Sequence, residues 1–429
     1  MNSEWADPRG LAIGARVACG ILALRRNQHK SPDTLREIQL RRLRALLEHA
    51  GAHVPYYQRV FAAAGFEPRD LTSVEDLRAL PVTTKADVRD HPGDFISTAF
   101  PPSGLRSSYT SGSTGIPLQV FRDARARASS IALKAYAFME CGARLTDRIV
   151  TVAQSDGSLW PRHTIIHPSS STDRIVEELR KVRPDVLYTY PTFITRLAQF
   201  DLAGIRPRLI FSQGLTLTDH CRTVSRSLFG VEPLDSYGSV EFSRLAFECP
   251  EHSGLHIITD GSVVEFLEDG KPVPNGKPGQ VVVTGLYNYA MPLIRYGLDD
   301  LAIPSGETCR CGRSWPLIRS IEGRTMDYLT MPSGRKVFPG FIYYVINNEA
   351  KRSDQSIAQF QVVQQERGRI RLVVVQGARF DAAIVARIQE QMESHFLDQG
   401  EKVAVDVRVV PEIAPDASGK TKLVVSTAT

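Results

Sequence analysis

The 429-residue chain is short of the features that would place it quickly. No segment approaches the roughly 18 consecutive apolar residues that a membrane-spanning helix needs, so no membrane partner is expected. One-sided charge is also missing. The 52 basic and 47 acidic residues leave a net +5, too diffuse to point to nucleic acid. Six cysteines in so long a chain do not suggest a disulfide framework and favour a reduced, cytoplasmic setting. Internal repeats and low-complexity tracts are lacking, and so is the Gly-Lys-Ser/Thr ending of a Walker phosphate loop. Leu11 to Leu24 is fairly apolar, but Arg16 interrupts it and no clear small-residue cleavage site follows. It reads as an N-terminal helix and not as a signal peptide.

What is present is ordinary in bulk. A hydrophobic content of 42% and a charged content of 23% suit a soluble globular protein, and the length asks for at least two domains. One stretch stands out: Ser107-Ser108-Tyr109-Thr110-Ser111-Gly112-Ser113-Thr114-Gly115-Ile116-Pro117. Its glycines allow close backbone approach to an anion, and successive N–H groups with added hydroxyls form an anion-binding concavity. The natural guest is a polyphosphate. A flexible Ser/Gly linker is the alternative, although linkers rarely end in Gly-Ile-Pro followed at once by strand-like Leu118-Gln119-Val120-Phe121-Arg122.

Along the chain, residues 34–50 have helical spacing at Leu40, Leu43 and Leu47, widened by Leu35, Ile38 and Leu46. Pro81-Val82-Thr83-Thr84-Lys85 reads as an extended turn before a short helix. From about 124 to 230, helical patterns alternate with apolar runs such as Ile149–Val152, Val186–Tyr190 and Leu209–Phe211. That alternation predicts βαβ units around a largely parallel sheet. Residues 255–305 turn to strands and turns, a β-rich subdomain. Residues 325–429 offer strands at 359–364, 369–375 and 403–410 around a helix near 381–396, enough for a separate α+β domain. The expected division is a large N-terminal domain, 1–324, and a small mobile C-terminal domain, 325–429, with a hinge near 323–328.

Four motifs follow the Ser/Gly loop in a fixed order: Asp235-Ser236-Tyr237-Gly238-Ser239-Val240-Glu241, Pro292 to Asp300, Ile321-Glu322-Gly323-Arg324, and Ala417-Ser418-Gly419-Lys420-Thr421-Lys422. Singly each is weak. Together with the loop they resemble the adenylate-forming superfamily of acyl-CoA synthetases and adenylation domains, most closely its phenylacetate–CoA ligase branch, capsular-biosynthesis type proteins included. The resemblance covers nearly the whole chain, and Val54-Pro55-Tyr56-Tyr57 and Leu80 to Lys85 share in it.

The resemblance implies an α/β enzyme that uses ATP to activate a carboxylic acid, aryl or small acyl, to an acyl-adenylate with loss of pyrophosphate. Thioester formation with CoA is then expected. Ser111, Gly112, Ser113, Thr114 and Gly115 would hold phosphates, with Gly214, Ser236, Gly238 and Ser239 completing the nucleotide surroundings. Tyr237 would stack on adenine, Glu241 would take Mg²⁺, and Asp300 would receive the ribose hydroxyls. Arg324 would contact the nucleotide from the hinge, and Lys420 would bridge carboxylate and α-phosphate as charge develops. Relatives rotate the C-terminal domain between the two half-reactions, and the resemblance also suggests a homodimer.

Departures from the family pattern are Val240 where relatives usually have threonine, Leu215 after Gly214, Met326 beyond the hinge arginine, and Asp299 before Asp300. They bear more on the acceptor than on adenylation. Two other readings therefore stay open: transfer of the acyl group to an amine, hydroxyl or carrier protein, and a silent nucleotide-binding relative with a scaffold role.

Cys249-Pro250-Glu251-His252 and Cys309-Arg310-Cys311-Gly312 offer three thiols and an imidazole in two tight pairs. Cys249, His252, Cys309 and Cys311 would make a tetrahedral structural zinc shell, with His256 as an alternative imidazole. Four protein ligands leave no open position for catalysis. The acyl pocket is expected among Tyr188–Phe193, Phe211–Leu215 and the Tyr237 turn, with Trp160 and His163 as outlying candidates.

Overall fold

The computed structural model describes residues 8–109, 118–153, 160–167, 170–324, 329–337, 342, 345–346, 349, 357–377, 379–414 and 421–428. Ser111, Gly112, Ser113, Thr114 and Gly115, Lys420, and residues 325–328 of the expected hinge lie outside them. Arg324 is described as the last residue of the strand Leu317–Arg324. The chain divides into two compact units: Met1–Arg144 with Ser236–Glu322, and Leu145–Asp235 with Gly323–Thr429.

The first unit opens on helices. Pro8–Asn27 covers the apolar Leu11–Leu24 run. Pro32–His53 begins where Ser31 accepts the Thr34 N–H at 3.3 Å, with proline in the first turn. Leu35, Ile38, Leu43, Leu46 and Leu47 are buried along it, the stripe expected from the sequence. An antiparallel array follows in the order Lys271–Pro272, Ser262–Glu268, Gly279–Gly285, Tyr296–Ser305, Leu317–Arg324, Leu255–Ile257, Ser243–Glu248 and Leu234–Ser239. Its core joins Leu43, Leu46 and Leu47 to Tyr57, Phe95, Val281, Val283 and Tyr296. The antiparallel run thus reaches beyond the expected 255–305. Ser243–Glu248 is buried at every position, so it carries no in–out alternation for a sequence reading to detect.

Thr83 fastens the Pro81–Lys85 turn to this array. Its N–H donates to Arg295 O at 2.8 Å, and Gly297 N–H donates to Thr83 O at 3.0 Å. The turn runs into the short helix Lys85–Asp90, capped reciprocally by Thr84 and Asp87.

The second unit holds the βαβ part. His163–Ile166, Ile149–Val152, Val186–Thr189 and Leu209–Gln213 pair in that order, all parallel. Ile149–Val152 is buried throughout, as strands covered on both faces are. Thr172–Val182 and Asp219–Phe229 are among its helices. The same unit contains a four-stranded sheet ordered Ala404–Val410, Arg369–Gln376, Ile357–Glu366 and Val424–Ser426. The helix Ala383–Asp398 lays Ile384, Ile388, Met392 and Phe396 into its core, four residues apart on one face. Gln359 Nε2 donates to Thr192 O at 3.1 Å between the two sheets' segments. The α/β class is the expected one. Among the described residues no helix is long and apolar enough to cross a membrane.

Candidate nucleotide site and cysteine cluster

The motif Asp235 to Glu241 lies on the strand Leu234–Ser239 and the turn into Ser243–Glu248. Gly238 opposes Arg244 there, at a register irregularity. A Cβ on Gly238 would stand 2.0 Å from Ser243 O, so no other residue fits without moving backbone. Ser239 Oγ accepts the Phe242 N–H at 3.2 Å and closes the turn. Tyr237 precedes this tight bend on the strand, and Glu241 lies within it.

Tyr237 is buried, and its hydroxyl donates to Asp300 Oδ2 at 2.7 Å. The neighbouring Asp299 does something else: Lys85 Nζ meets its Oδ2 at 2.9 Å while also donating to Leu298 O at 3.1 Å. The two adjacent carboxylates are thus separated. One is fixed by the cation of the Pro81–Lys85 turn, and the other belongs with the Tyr237 motif.

Glu241 is 6% exposed. Tyr296, wholly buried in the strand Tyr296–Ser305, donates its hydroxyl to Glu241 Oε1 at 3.2 Å. Burial, reinforced by the Glu241 charge, pushes the Tyr296 phenol up, so it stays the donor. Arg122 donates to the carbonyl oxygens of Val240 and Glu241, the latter at 3.2 Å. Neither Tyr296 nor Arg122 was singled out from sequence. A buried tyrosine within an apolar motif and an arginine ending a strand carry no signal until the chain folds.

Ser236 is buried beside this bend. Gly214 follows the strand Leu209–Gln213 in the second unit, with φ 73°. Of the expected acyl wall, Tyr188 and Phe211 meet edge-on at 6.4 Å between ring centres in that unit. Trp160 is buried, and His163 Nε2 lies 2.7 Å from Thr151 Oγ1 on the adjacent strand. Burial lowers the His163 pKa, which marks a neutral imidazole built into the sheet.

The cysteine pairs do converge. Ligand atoms of Cys249, His256, Cys309 and Cys311 all lie within 4.8 Å of one another. Cys249 and Cys309 sulfurs are 3.6 Å apart, and Cys311 Sγ is 3.4 Å from His256 Nε2. The imidazole is His256 and not the expected His252. His252 has φ 50° and places Nδ1 3.1 Å from Glu248 Oε1, whereas His256 comes in on the strand Leu255–Ile257 opposite Leu317. The short C-x₂-H spacing misled because the turn at 250–254 directs His252 elsewhere. Burial, aided by Arg313, pushes His256 down to about 4, so its ring is neutral and able to donate to a metal. Burial pulls the Cys311 thiol up, but hydrogen bonds from the Arg313 backbone and side chain outweigh it and hold the thiol below its ordinary value. Three sulfurs and one neutral imidazole at this separation fit a tetrahedral zinc.

Comparisons with known proteins bear on the family and the fold. Residues 329–427 match the family described as the CapK C-terminal domain. The phenylacetate-coenzyme A ligase of Thermus thermophilus is 31% identical over 330 residues, 72% of this chain and 74% of that one. That of Pseudomonas putida is 31% identical over 331 residues, again 72% and 74%. Protein CapK of Staphylococcus aureus is 24% identical over 320 residues, 69% of each chain. Among solved structures, 2-hydroxyisobutyryl-CoA ligase in the postadenylation state aligns with a TM-score of 0.77 at 21% identity, over 94% of this chain and 91% of that one. The architecture is that of the adenylate-forming ligases. By identity and coverage, the chain belongs to the phenylacetate–CoA ligase family, enzymes that join an acid to CoA through an acyl-adenylate.

Proposed function

We propose that the protein activates a carboxylic acid with ATP and passes the acyl group to CoA. A substrate carboxylate oxygen attacks the α-phosphorus, the bond to the β-phosphate breaks, and pyrophosphate leaves. The CoA sulfur then attacks the acyl carbon and AMP leaves. The observation that carries the reading is the Tyr237–Asp300 contact next to a buried Glu241 on one bend, in a chain of this family.

In this reading Asp300 accepts the ribose hydroxyls and the Tyr237 ring, held through its hydroxyl, packs along adenine. Glu241 Oε2 forms no hydrogen bond among the described residues, which suits a hard cation. Mg²⁺ bound there would neutralise phosphate charge. Ser111, Gly112, Ser113, Thr114 and Gly115 hold the phosphates, Gly214, Ser236 and Ser239 line the nucleotide, and Arg324 and Lys420 act as the resemblance implies. The Cys249–His256–Cys309–Cys311 group holds a structural zinc. The substrate is an aryl or small acyl carboxylate, supported by the aromatic Tyr188 and Phe211. A cytoplasmic homodimer completes the reading, on the resemblance alone.

Pyrophosphate release measured across a panel of carboxylates tests it. Release should depend on one acid class and be lost in Lys420→Ala, and added CoA should yield a thioester. Release that ignores every carboxylate would overturn the proposal. The match of residues 329–427 to the CapK C-terminal domain favours a second reading, in which adenylate forms but an amine, hydroxyl or carrier protein accepts the acyl group. Adenylate trapped by hydroxylamine without any CoA thioester would select it.

A further inference from the structure

Glu241 is held on two sides by groups that come from other elements, the strands Gln119–Arg122 and Tyr296–Ser305. Its Oε1 receives the hydroxyl of Tyr296 at 3.2 Å, and its main-chain oxygen receives Arg122 Nη2 at 3.2 Å. The same Nη2 also donates to Val240 O. All three residues are buried. Arg122 forms no ion pair among the described residues, and its Nε has no hydrogen-bond partner there. Besides its contact with the buried Tyr287 hydroxyl, the guanidinium is committed to two carbonyls of the turn that carries Glu241. Tyr296 comes from another element altogether, the strand Tyr296–Ser305. Its ring is fixed from behind by Phe242 at 5.9 Å.

We propose that Tyr296 and Arg122 are positioning residues that preorganise Glu241 as a one-oxygen ligand for the divalent cation. The phenol occupies Oε1 and fixes the rotation of the carboxylate, while the guanidinium fixes the backbone from which it springs. Oε2 is left as the oxygen available to a cation. Without the phenol the carboxylate can rotate or offer both oxygens, and part of the binding free energy goes into ordering it. The inference rests on the reading of Glu241 as the Mg²⁺ ligand, and it goes beyond that reading in saying what makes this carboxylate competent.

Tyr296→Phe is the test, because it removes one oxygen and leaves the ring. Mn²⁺ binding to the complex of protein and ATP is followed by electron paramagnetic resonance, and the Mg²⁺ dependence of pyrophosphate release is measured beside it. The variant should bind Mn²⁺ about three- to tenfold more weakly, the size of one ordinary hydrogen bond, since the phenol orders the carboxylate and does not itself touch the cation. It should need correspondingly more Mg²⁺, yet approach the parent kcat when saturated. ATP affinity without metal should not change. Glu241→Gln, measured in parallel, separates the two claims. If Glu241→Gln leaves Mn²⁺ affinity intact, the ligand reading itself falls. If Glu241→Gln weakens it and Tyr296→Phe does not, the ligand reading stands and the positioning role is wrong. Arg122→Lys, which keeps the charge but loses the guanidinium nitrogen that reaches both carbonyls, provides the same measurement should Tyr296→Phe fail to fold; unchanged Mn²⁺ affinity there would equally overturn the proposal.

Discussion

The hydroxyl of Tyr237 donates to Asp300 across 2.7 Å, joining two motifs that are 63 residues apart in the chain. A contact of this kind to a carboxylate is worth about 1.5–3 kcal/mol when one partner is removed. Tyr237→Phe is therefore expected to raise KM for ATP about tenfold or more, with kcat little changed, since the ring remains. Asp300→Asn should weaken ATP more strongly, having lost the carboxylate itself. Asp299→Asn should not, because Asp299 is committed to Lys85. Steady-state kinetics on the three variants check the ranking, and an Asp299→Asn enzyme as weak for ATP as Asp300→Asn would reverse the assignment.

Gly238→Ala places a carbon 2.0 Å from a main-chain oxygen in the middle of a tight bend. Since the obstacle is backbone, relief requires the strands to part. A loss of about 1–3 kcal/mol or more is expected, read as a lower urea midpoint with little change in slope. A parent-like midpoint would mean that the bend yields easily.

Metal content gives a third outcome. Protein purified without chelator should carry about one zinc per chain, and Cys309→Ser should lose it and melt at lower temperature. His256→Ala should behave like Cys309→Ser, while His252→Ala should retain the metal. The pair of histidine variants distinguishes the two imidazoles directly. Zinc retained in His256→Ala and lost in His252→Ala would contradict the geometry.

A fourth concerns pH. Hydrogen bonds from the Arg148 side chain at 2.9 and 3.0 Å, with its backbone N–H at 2.9 Å, hold Asp185 down at about 2. The carboxylate is depressed on folding, so its contribution is present above the ordinary carboxylate range and disappears as pH falls from about 4 through 2. Both side chains are about a third exposed, and solvent screening limits the effect to about 1 kcal/mol. Asp185→Asn should cost that much at pH 7 and nothing measurable below pH 2, as followed by denaturant unfolding across pH.

The sequence made some of this visible and hid the rest for identifiable reasons. The βαβ strands announced themselves because Ile149–Val152 and Leu209–Gln213 are short apolar runs between helical patterns. The C-terminal strands and helix did so by their periodicity, with Ile357–Glu366 and Ala383–Asp398 close to the expected bounds. Asp300 and Tyr237 stood out through motif order. Tyr296 and Arg122 did not, because their significance lies in which oxygen they reach, and spacing contains no such information. His252 was favoured over His256 for proximity to Cys249 alone. The strand that carries His256 into the cluster follows from pairing with Leu317, more than sixty residues later. Long-range register of that kind is invisible to local pattern.

The first unit is assembled from Met1–Arg144 and Ser236–Glu322, and its core mixes Leu43 and Tyr57 with Val283 and Tyr296. A ribosome delivers the early helices long before the strands against which they pack. About ninety residues of a different unit emerge in between. The opening helices must then wait with leucines uncovered, a condition that invites aggregation or chaperone capture. Fragments that end at residue 144 should be insoluble by themselves, and a piece comprising 236–322 supplied separately is what should rescue them.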